Sequence, residues 1–233
     1  MAARKTSSPR SRRQKPLRPP AGDQVKRARA IYAKLRKLYP AAGCSLTHAD
    51  PYQLLVATIL SAQCTDARVN IVTPDLFTKY PTAQAMADAR QDDLERLIRT
   101  TGFFRNKAKS IRHACRAIVD EHGGHVPDSL DELVKLPGVA RKTANVVLGN
   151  AMGKVEGIAV DTHAARLSKR LGFSKHTDPV KIEQDLMQLF DRRQWTLLTH
   201  LLIHHGRAIC TARRPRCEEC RLNELCPQVG VSK

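Results

Sequence analysis

Residues 136–144, Leu136-Pro137-Gly138-Val139-Ala140-Arg141-Lys142-Thr143-Ala144, decide how this chain is read. A short helix stops at Pro137-Gly138, the chain turns, and a second helix starts at about Ala140. Asn145, Val146, Val147 and Leu148 carry that second helix into a core. Gly138 permits turn geometry and a close approach of the backbone to another body. The free N–H groups that open the second helix form a natural phosphate site. Arg141 and Lys142 stand in that same first turn, where the positive helix end disfavours cations. Such a local conflict is expected where a site is built. Two uses of Lys142 stay open on the pattern alone. It can touch phosphate, as surface lysines of basic proteins do, or it can be a nucleophile, because a helix N-terminus and desolvation both favour the neutral amine.

Outward from the hairpin the periodicity stays helical. Val25, Ala28, Ile31, Tyr32, Leu35 and Leu38 form one stripe that Pro40 ends. Asp50-Pro51 reads as an N-cap acid followed by a first-turn proline, and Leu54, Leu55, Thr58, Ile59 and Ala62 continue that helix. Further helices are expected at about 66–80, 82–88, 91–100 and 104–122, the last closed by Gly123-Gly124. Asp128 is expected to cap another that runs to Leu136. Asp161 stands at the N-cap of a helix over 164–171, and Asp178-Pro179 opens one carrying Val180, Ile182, Leu186 and Leu189. A last apolar helix covers 195–209. No convincing pair of alternating β segments is present, so the expected fold is all-α.

The 233 residues suffice for one large domain or two small ones. Aromatics make up only 4% of them, so Leu, Ile, Val and Ala must pack the core. A formal net charge of +18 rarely serves folding and is better read as attraction to a polyanion, nucleic acid first and an anionic membrane second. No apolar run is long enough to span a bilayer, and no charged-then-apolar leader is seen. A soluble, monomeric, cytoplasmic protein without a membrane partner is expected, associated with the nucleoid if the source is bacterial. Residues 1–22 hold seven Lys or Arg, four prolines and no acid. Such a segment cannot bury enough apolar surface to order itself. It either adds nonspecific DNA affinity or is a dispensable extension, and the remaining body is basic without it.

Seven cysteines, an odd count, argue against a closed disulfide framework. Cys44, Cys64 and Cys115 are scattered and read as small core residues. Cys210, Cys217, Cys220 and Cys226 follow C-x6-C-x2-C-x5-C within 17 residues. Four thiolates suit Zn²⁺ or an iron–sulfur cluster, and the spacing leaves both open. Between the ligands lie Arg213, Arg214 and Arg216, a cationic surface for phosphate oxygens or merely a solubilising loop. His204 and His205 read as packing or hydrogen-bonding residues rather than ligands.

Several separated motifs now stand in order: Leu60-Ser-Ala-Gln-Cys-Thr-Asp66, Thr101-Gly-Phe-Phe-Arg-Asn-Lys-Ala108, the hairpin, Val160-Asp161-Thr162-His163 and the cysteine tail. Together they closely resemble the endonuclease III family of helix-hairpin-helix DNA glycosylases, over essentially all of residues 24–228. The resemblance implies two helical lobes, a hairpin domain over 44–154 and a second domain joining 23–43 to 155–230 around a structural [4Fe-4S] cluster on the four tail cysteines. It implies that Lys142 attacks the sugar C1′ of a flipped nucleotide and that Asp161 assists. It further implies that Gln63 fills the vacated space and Phe103 wedges the opposite strand, with Gly138, Ala140 and Arg141 at the backbone. The implied partner is double-stranded DNA with damaged pyrimidines or abasic sites, and the implied chemistry is base removal followed by β-elimination through a Lys142 Schiff base.

Two positions depart from the family pattern. Phe103 replaces a commonly aliphatic wedge, and Ala140 replaces a frequent glycine, so the turn there requires a negative φ. Three rival readings are weighed: an adenine-mismatch glycosylase, which usually lacks the hairpin lysine; a catalytically silent DNA-binding module; and a cluster-based redox sensor.

Overall fold

The computed structural model describes residues 22–231; the basic segment assigned to 1–22 lies, except for Gly22, outside the described residues. Eleven α-helices are present among those described, and no strand. They are α1 Gly22–Leu38, α2 Pro51–Leu60, α3 Asp66–Lys79, α4 Ala83–Ala87, α5 Gln91–Ile98, α6 Phe104–His122, α7 Leu130–Leu133, α8 Arg141–Ala151, α9 Thr162–Arg170, α10 Pro179–Leu189 and α11 Trp195–Ala208. The all-α expectation holds.

The helix starts follow from short polar side chains that satisfy otherwise orphaned N–H groups. Asp50 accepts from the Gln53 amide at 2.8 Å, Asp161 from Ala164 at 2.7 Å and Asp178 from Lys181 at 2.9 Å. One cap differs from expectation. Ser129, not Asp128, accepts from the Glu132 amide, because the Asp128 carboxylate is taken by Lys154. That helix is also a single turn and does not reach Leu136. Lys135 and Leu136 instead turn through amides bonded to Glu132 and Leu133 three residues back, and Pro137 has no N–H to continue.

Buried side chains gather into two separate cores. One runs from Leu46 to Leu148 and is built by α2 to α8, with Leu54, Leu55, Leu60, Ile98, Ile111 and Leu133 fully enclosed. The other combines Ala28, Ile31, Tyr32 and Leu35 of α1 with residues from Ile158 to Leu222. Each fully buried Leu or Ile stabilises its core by roughly 1.5–3 kcal/mol. Aliphatic packing therefore carries both cores, as the scarcity of aromatics requires. Chain segments pass between the cores at Tyr39–Leu46 and Met152–Ile158, and the hairpin and the start of α9 meet where they face each other. No helix among the described residues is long and apolar enough to cross a membrane.

Candidate functional site

The hairpin is the turn between α7 and α8. Gly138 has φ +78, and a Cβ there would lie 2.9 Å from the Ser110 Cβ of α6. Only glycine relieves both the left-handed backbone and the contact. Ala140 takes the N-cap position with φ −85 and ψ 162, the negative φ that alanine requires. Its methyl group cannot cap, so the first amides of α8 have no side-chain acceptor from the N-cap. Lys142, the second residue of α8, is exposed at this positive helix end.

A cavity of about 650 Å³ opens between the two cores. Lys142 and Val146 line it from α8, Asp161, Thr162 and His163 from the start of α9, and His200, His204 and Arg207 from α11. Lys142 and Asp161 thus face one space although they belong to helices of different cores. Asp161 is half-buried, and its Oδ1 is held by the Ala164 N–H at 2.7 Å. Burial pushes the pKa values of His163 and His200 down, outweighing the opposing pull of the Asp161 charge. Lys142, Asp161, Arg207 and Asp66 line the same cavity. Asp66 is satisfied at the rim, accepting from Ser45 Oγ at 2.6 Å and Arg207 Nη2 at 3.2 Å.

Arg141 differs from the phosphate-facing residue expected. Its Nε and Nη2 donate to the Glu183 carboxylate at 2.6 and 3.3 Å. Glu183 is only 3% exposed and also accepts from Asn145 Nδ2 at 2.8 Å and the Ile158 amide at 3.1 Å. A buried carboxylate draws the guanidinium inward because each needs the other to offset lost hydration. Nothing in the local pattern singled out Glu183; the available signal was an acid directly between Ile182 and Leu186 on one helix.

Gln63 and Phe103 are exposed, and both have left-handed backbones, φ 52 and φ 46. Among the described non-glycine residues only Gln228 shares that property. Phe103 leaves 64% of its surface open to solvent, an unusual position for a phenyl ring, whereas Phe104 packs on the first core as expected. Strained backbone carrying exposed side chains is a mark of positions held for function. Beneath both loops lies Lys107, a buried residue that received no role from the sequence.

The four tail cysteines surround one largely apolar pocket, together with Leu167, Arg170 and Leu222. N–H groups point at the sulfurs: Arg170 Nη1 to Cys210 at 3.3 Å, the Leu222 amide to Cys220 at 3.4 Å and the Gln228 amide to Cys226 at 3.4 Å. Donors aimed at thiolate sulfur are what a cluster site uses to balance charge. Four thiols around one pocket, three of them met by N–H donors, fit a [4Fe-4S] cluster. Arg213 and Arg214 are exposed on the intervening loop. Arg216 is partly engaged, bonded to the Ala208 carbonyl and to Glu219 at 3.1 Å. His205 is buried against Tyr39 at 2.9 Å and Cys220 at 3.4 Å, a packing position as expected, while His204 faces the cavity.

This geometry has known counterparts. A family described as HhH-GPD superfamily base excision DNA repair protein matches residues 56–192. Endonuclease III of Synechocystis is 57% identical over 206 residues, 88% of this chain and 94% of the relative. The chain belongs to the endonuclease III family. The Bacillus subtilis member is 47% identical over 194 residues, covering 83% of this chain and 88% of its own. The iron–sulfur binding domain of endonuclease III matches residues 210–226. A solved structure of a trapped endonuclease III–DNA covalent intermediate superposes with TM-score 0.83 at 44% identity, covering 88% of this chain and 96% of the other. A thermostable thymine-DNA glycosylase, 22% identical with TM-score 0.79, shares the fold. The chain is accordingly a bifunctional base-excision repair enzyme, a DNA glycosylase and abasic-site lyase with a [4Fe-4S] cluster.

Proposed function

We propose that Lys142 is the nucleophile and Asp161 the electrostatic partner of this reaction, on double-stranded DNA carrying oxidised pyrimidines such as thymine glycol or abasic sites. The observation that carries this reading is the shared cavity: an amine at the mouth of α8 and a carboxylate at the cap of α9 face one space large enough for an extruded nucleotide. Lys142 Nζ bonds to C1′ as the glycosidic bond breaks and the base departs with its electron pair. Asp161, oriented by the Ala164 N–H at the positive end of α9, stabilises the cationic sugar that develops. The nitrogen lone pair then expels the ring oxygen, which takes up a proton as the C4′ hydroxyl, to give a protonated imine; a base removes a C2′ proton, and the 3′ phosphate leaves with the C3′–O electron pair.

Gln63 and Phe103 enter the duplex in this reading. Gly138 and Ala140 meet a phosphate through the α8 amides, and Arg213, Arg214 and Arg216 meet the backbone further along. Arg141 contributes through its backbone, since its side chain is engaged by Glu183. The cluster, bound by Cys210, Cys217, Cys220 and Cys226, supplies rigidity to that loop. Two domains, 44–154 and 23–43 with 155–230, flank the cavity. The enzyme acts as a monomer in the cytoplasm, on nucleoid DNA if bacterial.

Borohydride reduction on an abasic duplex tests the assignment. A covalent protein–DNA adduct is expected from the native chain and none from Lys142→Ala; an adduct formed equally well by that variant would move the nucleophile elsewhere.

A further inference from the structure

We infer that Lys107 is a positioning residue that fixes the spacing of the two strand-entering side chains, Gln63 and Phe103. The inference rests on the reading that those two residues enter DNA. Lys107 is the fourth residue of α6 and only 5% exposed. Its Nζ donates to the Leu60 carbonyl at 2.8 Å and to the Thr101 carbonyl at 2.7 Å. Leu60 is the last residue of α2, and Thr101 ends the 3-10 turn Arg99–Thr101. From those two carbonyls the chain runs three residues to Gln63 and two to Phe103. One ammonium therefore ties together the roots of both loops, which are otherwise some forty residues apart in sequence.

The cost of the arrangement argues for its purpose. Burial lowers the Lys107 pKa, so the fold works against this charge rather than for it. A methionine of similar length and flexibility would fill the same buried volume by packing alone. A cation does what a methionine cannot. It binds two carbonyls at helical C-termini, where partial negative charge collects and few other donors reach. Its own amide also donates to the Phe103 carbonyl at 3.1 Å, so the left-handed turn at Phe103 is held from both sides. Two intruding groups that must enter a single opened base pair need a fixed separation more than either needs strength. Lys107 supplies that separation.

The test uses the full chain with its cluster and compares borohydride-trapping rates on two substrates. In one the abasic site lies in a fully paired duplex; in the other it lies in a mismatched bubble already open. Lys107→Met is expected to slow trapping on the closed duplex by about tenfold or more, because unstacking must then be done by unregistered side chains. On the bubble it should stay within about twofold of the native rate, a selectivity that simple loss of stability does not produce. Equal slowing on both substrates, or on neither, overturns the inference. Should Lys107→Met fail to retain the cluster's visible absorbance, Lys107→Gln, which can hold one carbonyl, is read by the same two rates and the same criteria. Gln63→Ala and Phe103→Ala run beside it. If they too leave the closed-to-open ratio unchanged, the strand-entering reading itself fails; if they shift it while Lys107 variants do not, only the clamp fails.

Discussion

The carboxylate of Glu183 on α10 accepts the Nε–H of Arg141 on α8 at 2.6 Å, a bond that joins the two cores one residue before Lys142. Its surroundings leave no slack. A Cβ on Gly157 would fall 2.0 Å from Glu183 Oε1, so the carboxylate packs directly on bare backbone. The first turn of α8, with Lys142 in it, is thereby referenced to the helix layer that also carries Asp161.

Removing that carboxylate should cost stability and catalysis together. Glu183→Ala leaves Arg141, Asn145 and the Ile158 amide without their shared acceptor. A loss of about 3 kcal/mol is expected, the low end for breaking a buried pair because the Arg141 side chain can turn to water. Urea unfolding measures it, and nicking of an abasic duplex should fall in parallel. A loss under about 1 kcal/mol would show that the clasp is ornamental to the fold.

Asp161 performs two tasks that one substitution can separate. Asparagine caps a helix about as well as aspartate, so Asp161→Asn keeps the bond from the Ala164 amide and should change stability by less than about 1 kcal/mol. Base release should nonetheless fall by about 10²–10⁴, since the charge beside the developing cation is gone. Asp161→Ala should lose the cap as well, about 1 kcal/mol more. Native-rate release by Asp161→Asn would reduce this residue to a helix cap.

At Gly138 two penalties can be told apart. Alanine there pays about 1–2 kcal/mol for the left-handed backbone and in addition collides with Ser110. Pairing Gly138→Ala with Ser110→Gly returns the space but not the φ. Affinity for a duplex with an uncleavable abasic analogue should therefore order as native, then the double variant, then Gly138→Ala. If the double variant binds no better than the single one, crowding against α6 is not what the glycine relieves.

What could be read from sequence was local. Asp50, Asp161 and Asp178 capped where expected because an N-cap is settled within three residues. Ser129 displaced Asp128 because two good caps stood side by side and Lys154, 26 residues on, claimed the acid. The roles of Gln63 and Phe103 came from resemblance, since no local pattern announces φ values near +50 at glutamine and phenylalanine. Glu183 and Lys107 escaped notice because Arg141 lies 42 residues from the one and Leu60 lies 47 from the other. Each nevertheless left one trace, a charge set inside an apolar helical stripe, which in a stable core requires a buried partner.

The cluster loop yields the last expectation. Leu222 lies between the ligands Cys220 and Cys226, yet it is fully buried in the second core. Arg170, itself 9% exposed, bonds to the Cys210 sulfur and to the carbonyls of Thr211 and Ala212. Stripping the cluster with an oxidant and a chelator frees the four cysteines, and the loop then has little reason to keep Leu222 inside. Stability should drop by at least about 2 kcal/mol, the worth of one buried leucine, before any other interaction is added. Arg213 and Arg214 would lose their fixed placement as well. DNA affinity should fall with them, and its dependence on salt should flatten by about one unit of logarithmic slope for each phosphate left without its arginine. A stripped protein with native melting and an unchanged salt slope would mean that the loop keeps its shape without the cluster.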